Sequence, residues 1–209
     1  INWGEALFLQ DGINNANPVS LSQLRLPGAA IKEALLPLPR IVASYELADS
    51  LTMEAFYEFD WDYSEADGVG TFYSTEDAFA GDGANKILVD FSNSALLGGL
   101  VSTYNQSVYG INSQSLTSDR IADKSVDSAG QYGLSFRYSM DETEFGLFYM
   151  NYHSHKPVAQ ATTGAFTGGI NGALSYIDNT VYQIVYPEDI QMVGLTFSTT
   201  VGDLALSGE

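Results

Sequence analysis

The sequence predicts an all-β fold, a segment of an antiparallel transmembrane β-barrel of the outer-membrane type, with long extracellular loops and a short helical insert. Three observations lead there. First, apolar residues recur with period two. In SYELADSLTMEAFYEFDW (44–61), Tyr45, Leu47, Leu51, Met53, Ala55, Tyr57, Phe59 and Trp61 alternate with Ser44, Glu46, Thr52, Glu54, Phe56, Glu58 and Asp60. Second, short turns at Asp49, 141–143 and 202–203 alternate along the chain with long connections at 10–39, 62–130 and 154–189. Barrels of this type sort their loops in that way, short on one rim and long on the other. Third, aromatic residues gather near the ends of the apolar faces, with aliphatic residues between them, as in a membrane girdle. A soluble antiparallel sheet with one wet face shares the alternation but not the sorting of loops.

The elements follow in order. Residues 1–9 read as a strand with imperfect alternation, because Glu5 falls among Trp3, Leu7 and Leu9. DGINNAN (11–17) is turn-rich, and Pro18 pushes the residue before it out of the helical region. In RLPGAAIKEALLPLP (25–39), Pro27 suits a helix start, Ile31 and Leu35 share a face, and Pro37 and Pro39 end the helix. Residues 40–48 and 51–61 form the first hairpin. An irregular stretch, 62–130, is interrupted by an apolar piece, 94–104, of helical character. Residues 131–140 are the clearest strand, with Tyr132, Leu134, Phe136, Tyr138 and Met140 on one face. The returning strand, 144–153, has two credible outer sets, Phe145, Leu147, Tyr149 or Phe148, Met150, Tyr152. A Gly/Thr/Ser-rich connection holds one strand at 180–186, and 190–201 alternates again before a turn into 204–209. We expect a single domain over 1–209, an excerpt of a larger barrel, with 10–39 as an insert or plug-like segment and 62–130 and 154–189 as long loops.

Composition narrows the function. The chain carries 26 acidic and 8 basic residues, a net charge of −18, which repels phosphates and excludes nucleic acid as a partner. A hydrophobic content of 45%, with 13 Tyr and 11 Phe, argues for a folded chain despite that charge. With no cysteine there is no disulfide, thiolate metal site or Cys nucleophile. No apolar run approaches the roughly 20 residues of a membrane helix.

Chemical motifs are sparse. His153 and His155 in YHSHKP stand at i,i+2, a spacing that suits a metal with a nearby carboxylate. Asp60, Asp62, Glu65 and Asp67 in DWDYSEADG supply oxygen ligands suited to a loop-bound Ca²⁺, but the spacing is not that of an EF-hand. Solvated loop residues are the plain alternative for both sets. Two histidines and no G-x-S-x-G stretch argue against a serine hydrolase, and GVG and GDGANK read as turns rather than phosphate loops. No catalytic residue is expected. The polar face supplies lumen-lining candidates, Glu46, Glu54, Glu58, Asp60 and Arg137, whose carboxylates favour cations or neutral solutes over anions. The alternative is that these charges pair and stiffen the wall. Ile31, Leu35 and Leu36 are the plug candidates.

NWGEALFLQDGINNANPVSLSQLRLPGAAIKEALLPLP (2–39), FYEFDW (56–61), GTFYSTEDAF (70–79) and YPEDIQMVGLTFSTTVGDLALSGE (186–209) resemble a proteobacterial family, the domain-of-unknown-function family numbered thirteen hundred and two. The resemblance spans the chain. It implies a large outer-membrane barrel, longer than this chain, that handles hydrophobic compounds beside an RND-type exporter and a periplasmic companion protein. It brings no catalytic residues. The expected activity is therefore transport of hydrophobic or amphipathic small molecules through a barrel embedded in outer-membrane lipid. A surface-exposed structural or recognition barrel without an open pore, or a soluble acidic β-domain, are the alternatives.

Overall fold

The computed structural model describes Trp3 and residues 13–74, 77–79 and 84–209, apart from the side chains of Asn14, Asn15, Ile31 and Asp77. The strand expected over 1–9 lies, Trp3 excepted, outside the described residues. A 3-10 turn, Ile13–Ala16, leads to two single-turn helices, α1 (Leu21–Leu24) and α2 (Ile31–Ala34). The helix expected between Pro27 and Pro37 is the single turn α2, which ends before Leu35, and α1 precedes it. Glu33 reaches back to the Ala30 amide at 3.3 Å, and α2 ends where Leu35 bridges to Val19.

Strands β1 (Arg40–Ala48) and β2 (Leu51–Glu58) form the first hairpin. The chain then runs through β3 (Lys86–Asp90), α3 (Ala95–Tyr109) and β4 (Ser115–Arg120). A second hairpin, β5 (Tyr132–Met140) and β6 (Thr143–Tyr152), precedes β7 (Val158–Thr162), α4 (Gly169–Asp178) and β8 (Val181–Val185). The last hairpin is β9 (Ile190–Val201) and β10 (Leu204–Gly208). The described chain is mostly β-sheet, largely antiparallel, with few helices.

These elements make two compact units. Residues 1–65, 125–157 and 186–209 build a six-stranded antiparallel sheet in the order β1-β2-β5-β6-β9-β10. Each hairpin closes in a tight turn; Asp141 and Gly202 take left-handed backbone (φ 53° and 62°), as short hairpin turns require. β2 stops at Glu58 rather than at Trp61. Phe59 still donates to the Pro39 carbonyl at 3.0 Å, but Pro39 has no N–H with which to return the bond.

Residues 66–124 and 158–185, which lie within the connections expected as long loops, fold together as the second unit. Its four strands lie in the order β3-β4-β8-β7, with β4 and β8 parallel and the outer pairs antiparallel. Each outer pair is joined through a helix, α3 or α4. The Ser94 hydroxyl caps α3 by accepting from Leu97 at 3.3 Å, and Gly110, at φ 70°, ends it. Val101, Tyr104, Leu116 and Leu174 form the core of this unit. Tyr104 and Tyr109 both donate to the Asp178 carboxylate, at 3.1 and 2.5 Å, which pushes the Tyr109 hydroxyl up to about 12.

Candidate functional site

Cross-strand register sorts the six-stranded sheet into two unlike faces. On one, Leu51, Tyr138, Phe145 and Phe197 form a row across four strands. The next row is Met53, Phe136, Leu147 and Leu195, and the one after it Ala55, Leu134, Tyr149 and Val193. Tyr57 and Tyr132 close the face at the end that bears the long connections. Tyr132 and Tyr138 are therefore about 20 Å apart along β5 at the usual strand rise. This face is open: Val193 is 70% and Leu195 68% exposed. The pairing also settles β6. Phe145, Leu147 and Tyr149 belong to the open face, whereas Phe148, Met150 and Tyr152 are buried on the other.

The second face is polar in sequence, yet it carries the core of this unit. Trp3, Ile13 and Ala16 of the N-terminal segment pack there with Phe56, Phe148, Met150 and Tyr152. Two glycines make the room. A methyl group on Gly133 would lie 2.6 Å from the Trp3 ring, and one on Gly194 would lie 2.4 Å from the end of Ile13. Trp3 meets Phe56 edge-on at 4.9 Å and Phe148 at 5.6 Å. Its indole N–H donates to the Glu54 carboxylate. Arg40 ties the segment to the sheet, donating to the Ala16 carbonyl at 3.2 Å and to Asn17 Oδ1 at 2.9 Å. The same guanidinium nitrogen stands 2.7 Å from Glu58 Oε1, so this buried carboxylate has its counter-charge beside it.

The expected lumen residues divide accordingly. Glu46, Glu54, Glu58 and Arg137 share the second face. Arg137 lies over the Phe148 ring at 5.7 Å and within 3.5 Å of Glu144, a pair too exposed to contribute much. Asp60 is not on a strand. Its carboxylate folds back on the Trp61 amide at 2.9 Å and accepts from Ser128 at 3.2 Å. Of the plug candidates, Leu35 and Leu36 are half-buried and bond the segment to itself, through Val19 and the Pro18 carbonyl. Ile31 opens α2, and its side chain lies outside the described residues. Trp3, Ile13 and Ala16 of the same segment pack on the sheet.

The metal candidates are not brought together: among the described residues no three His, Asp or Glu side chains could hold an ion. His153 uses both ring nitrogens, accepting the Asp189 amide at Nδ1 (3.0 Å) and donating from Nε2 to the Ala129 carbonyl (2.9 Å). His155 donates from Nδ1 to the Asp62 carbonyl at 2.6 Å. Its burial pushes the imidazole below its ordinary pKa. The Asp62 carbonyl opposes that shift, and the Arg40 charge adds to it. Asp62 accepts from the Tyr63 amide at 2.8 Å, and Glu65 gives its backbone to Val19 and Leu21.

Over residues 1–209 the chain matches the model of a family described as "Protein of unknown function (DUF1302)". The chain belongs to the DUF1302 family. No curated protein and no solved structure matches it. In this DUF1302 chain the residues that sequence reasoning missed are Trp3, Ile13, Gly133 and Gly194. The signal for the glycines was present: each interrupts the side-chain pattern of a well-formed strand, which marks close approach of another group. The groups that approach them could not be read from either strand.

Proposed function

We propose that this DUF1302 chain forms part of the wall of a bacterial outer-membrane β-barrel, and that the lumen passes hydrophobic or amphipathic small molecules. The observation that supports this is the inversion of the six-stranded sheet. Its apolar face is open, while its charged face is covered by another segment of the chain. A water-soluble sheet buries its apolar face. A barrel in lipid turns that face outward, with aromatic rows at both headgroup levels. No helix among the described residues is long and apolar enough to cross a membrane, so strands would make the crossing.

Passage would be passive, with no chemistry performed. The segment anchored by Trp3, Ile13 and Arg40 would be the plug, and Glu46 and Glu54 would favour cations or neutral solutes. The resemblance of the sequence adds an RND-type exporter and a periplasmic companion as partners. A second reading, a barrel without an open pore that recognises or supports, is favoured by the aromatic filling of Trp3, Phe56 and Phe148 on the inner face. Single-channel conductance of the full-length protein in planar bilayers separates the two, with heat-modifiable gel migration as the check on assembly. Conducting events that increase when Trp3 and Ile13 are both truncated to Ala support the channel. Insertion with no conductance in either form favours the closed barrel. Recovery as a detergent-free soluble monomer would sink both.

A further inference from the structure

An open cleft of about 550 Å³ lies at one end of the four-stranded sheet, with Leu88, Asp90 and Ser92 on one wall and residues 112–115 on the other. That volume lies within the range of small-molecule sites. The walls offer hydroxyls, amides and a carboxylate around one large apolar side chain, Leu88, which is 62% exposed. Asp90 and Ser115 stand directly opposite each other on β3 and β4, and Leu88 is two residues from Asp90 on the same side of its strand. Helix α3 holds the second wall from behind. The buried Asn105 side chain donates to the Ser113 and Ser115 carbonyls at 2.8 and 2.9 Å. Ser102 donates to Asn112 Oδ1, which leaves the Asn112 amide N–H groups to donate. The Gln114 side chain packs over Gly98, where an added methyl group would lie 3.2 Å from its amide. Phe91 N–H donates to the Gln114 carbonyl at 3.0 Å and joins the two walls. Asp90 is fixed as firmly. Its Oδ1 accepts from the Ser92 amide at 3.0 Å and the Ser115 hydroxyl at 3.2 Å, and its Oδ2 accepts from the Ser92 hydroxyl at 2.6 Å. The Ser92 bonds hold this carboxyl below the usual carboxylate range, so it is ionised at neutral pH.

We propose that this cleft binds a sugar ring that carries no negative charge. Ring hydroxyls donate to Asp90 and accept from Asn112 and Gln114, while a C–H face of the ring rests on Leu88. The site lies within the second unit and does not depend on the transport reading. A hydroxyl donates and accepts at once, which matches walls that offer both kinds of group in fixed positions. No Lys or Arg is among the described residues that line the cleft. The cation on the same strand, Lys86, is about 13 Å from Asp90 at the usual strand rise. A phosphate or carboxylate on the ring would therefore meet the Asp90 charge with no counter-charge beside it. A divalent cation requires six or more oxygens. Asp90 is the single carboxylate among these lining residues, and its oxygens already accept three hydrogen bonds. An apolar ligand would displace water from the polar walls without replacing its bonds.

The test uses the full-length protein in a detergent without a sugar headgroup, lauryldimethylamine oxide, and saturation-transfer NMR. The probes are glucose, galactose and mannose, each beside its own 6-phosphate. At least one sugar should bind saturably and about tenfold more tightly than its 6-phosphate. Asp90→Asn should weaken that sugar about tenfold, the effect of one hydrogen bond to a charged group, and should abolish the preference over the 6-phosphate. Asn112→Ala should weaken it about fivefold, the effect of one uncharged hydrogen bond. Both side chains are exposed, so each variant leaves the core of the unit intact, and either one serves if the other fails to assemble. Dextran, galactan or mannan, according to which ring binds, then separates the two sources of such a ring. Binding of the polymer assigns the cleft to a glycan chain, and binding of the free sugar alone assigns it to soluble sugars. No saturable binding of any of the three sugars, equal binding of the 6-phosphates to the wild type, or binding unchanged in the variants overturns the site.

Discussion

Gly194→Ala isolates the seating of the N-terminal segment on the sheet. The added methyl would lie 2.4 Å from Ile13 Cδ1 and 2.6 Å from Cγ1, whereas its next neighbour, Phe148 Cβ, is 3.8 Å away, an ordinary contact. Carbon atoms rest about 3.5–4.0 Å apart, so Ile13 must retreat by roughly 1 Å or more. Ile13 is only 3% exposed, and its surroundings are Trp3, Phe56, Phe148 and Met150. Over-packing of this kind costs about 1–3 kcal/mol. Because the clash is with the segment and not with neighbouring strands, that cost falls on docking and leaves the barrel assembled. It raises the ratio of undocked to docked segment about 5- to 150-fold. The chain has no cysteine, so Ala16→Cys, at a buried position of the same segment, gives a unique maleimide target. Its labelling rate in the assembled protein should rise by that factor in Gly194→Ala. In an Ile13→Ala background the clash is gone, and Gly194→Ala should add little; that non-additivity is the signature of direct contact. Unchanged labelling, or an equal effect with Ile13 already truncated, would refute the seating of Ile13 on Gly194.

Two further outcomes are expected. A fluorescent label at Leu195→Cys should be quenched by brominated lipid, while one at Arg137→Cys, on the opposite face, should not, and Leu195→Arg should cost about 2–4 kcal/mol of assembly; equal quenching at both sites would refute the membrane orientation of the sheet. His155 is held below the ordinary histidine pKa of about 6.5, so between that value and its folded pKa the unfolded chain binds a proton that the folded chain does not. Stability therefore falls as pH drops below about 6.5, and the gel-shift melting temperature of the wild type should fall with it, whereas His155→Phe should lose that part of the slope.

Local pattern determined much of this chain. The alternation in 131–140 and 190–201 assigns each side chain to a face, since successive residues of a strand must point to opposite sides. The turns at Asp49, Asp141 and Gly202 follow from residues that tolerate left-handed backbone or tight reversal. The family was legible in 2–39, 56–61, 70–79 and 186–209. Pattern failed where a strand is polar and short: SLTSDR (115–120) has no apolar alternation, and it is β4 because β3 and β8 offer it backbone partners. The segments 66–124 and 158–185 look like separate loops in sequence, and only their pairing through β4 and β8 makes them one folded unit.

The functional face was decided later still. In β6 both alternate sets are apolar, so periodicity cannot choose between them. Phe148 and Met150 turn inward because Trp3 and Ile13, far away in the chain, supply their packing partners. The same contacts explain why a face rich in Glu, Ser and Gly carries the hydrophobic core of its unit while the apolar face stays open. Asp60 was assigned to a strand by extrapolating an alternation that ends at Glu58, where Pro39 cannot return a ladder bond. A strand's sequence determines that it has two faces and what each carries. What covers each face depends on segments hundreds of bonds away, and that is set only when the whole chain packs.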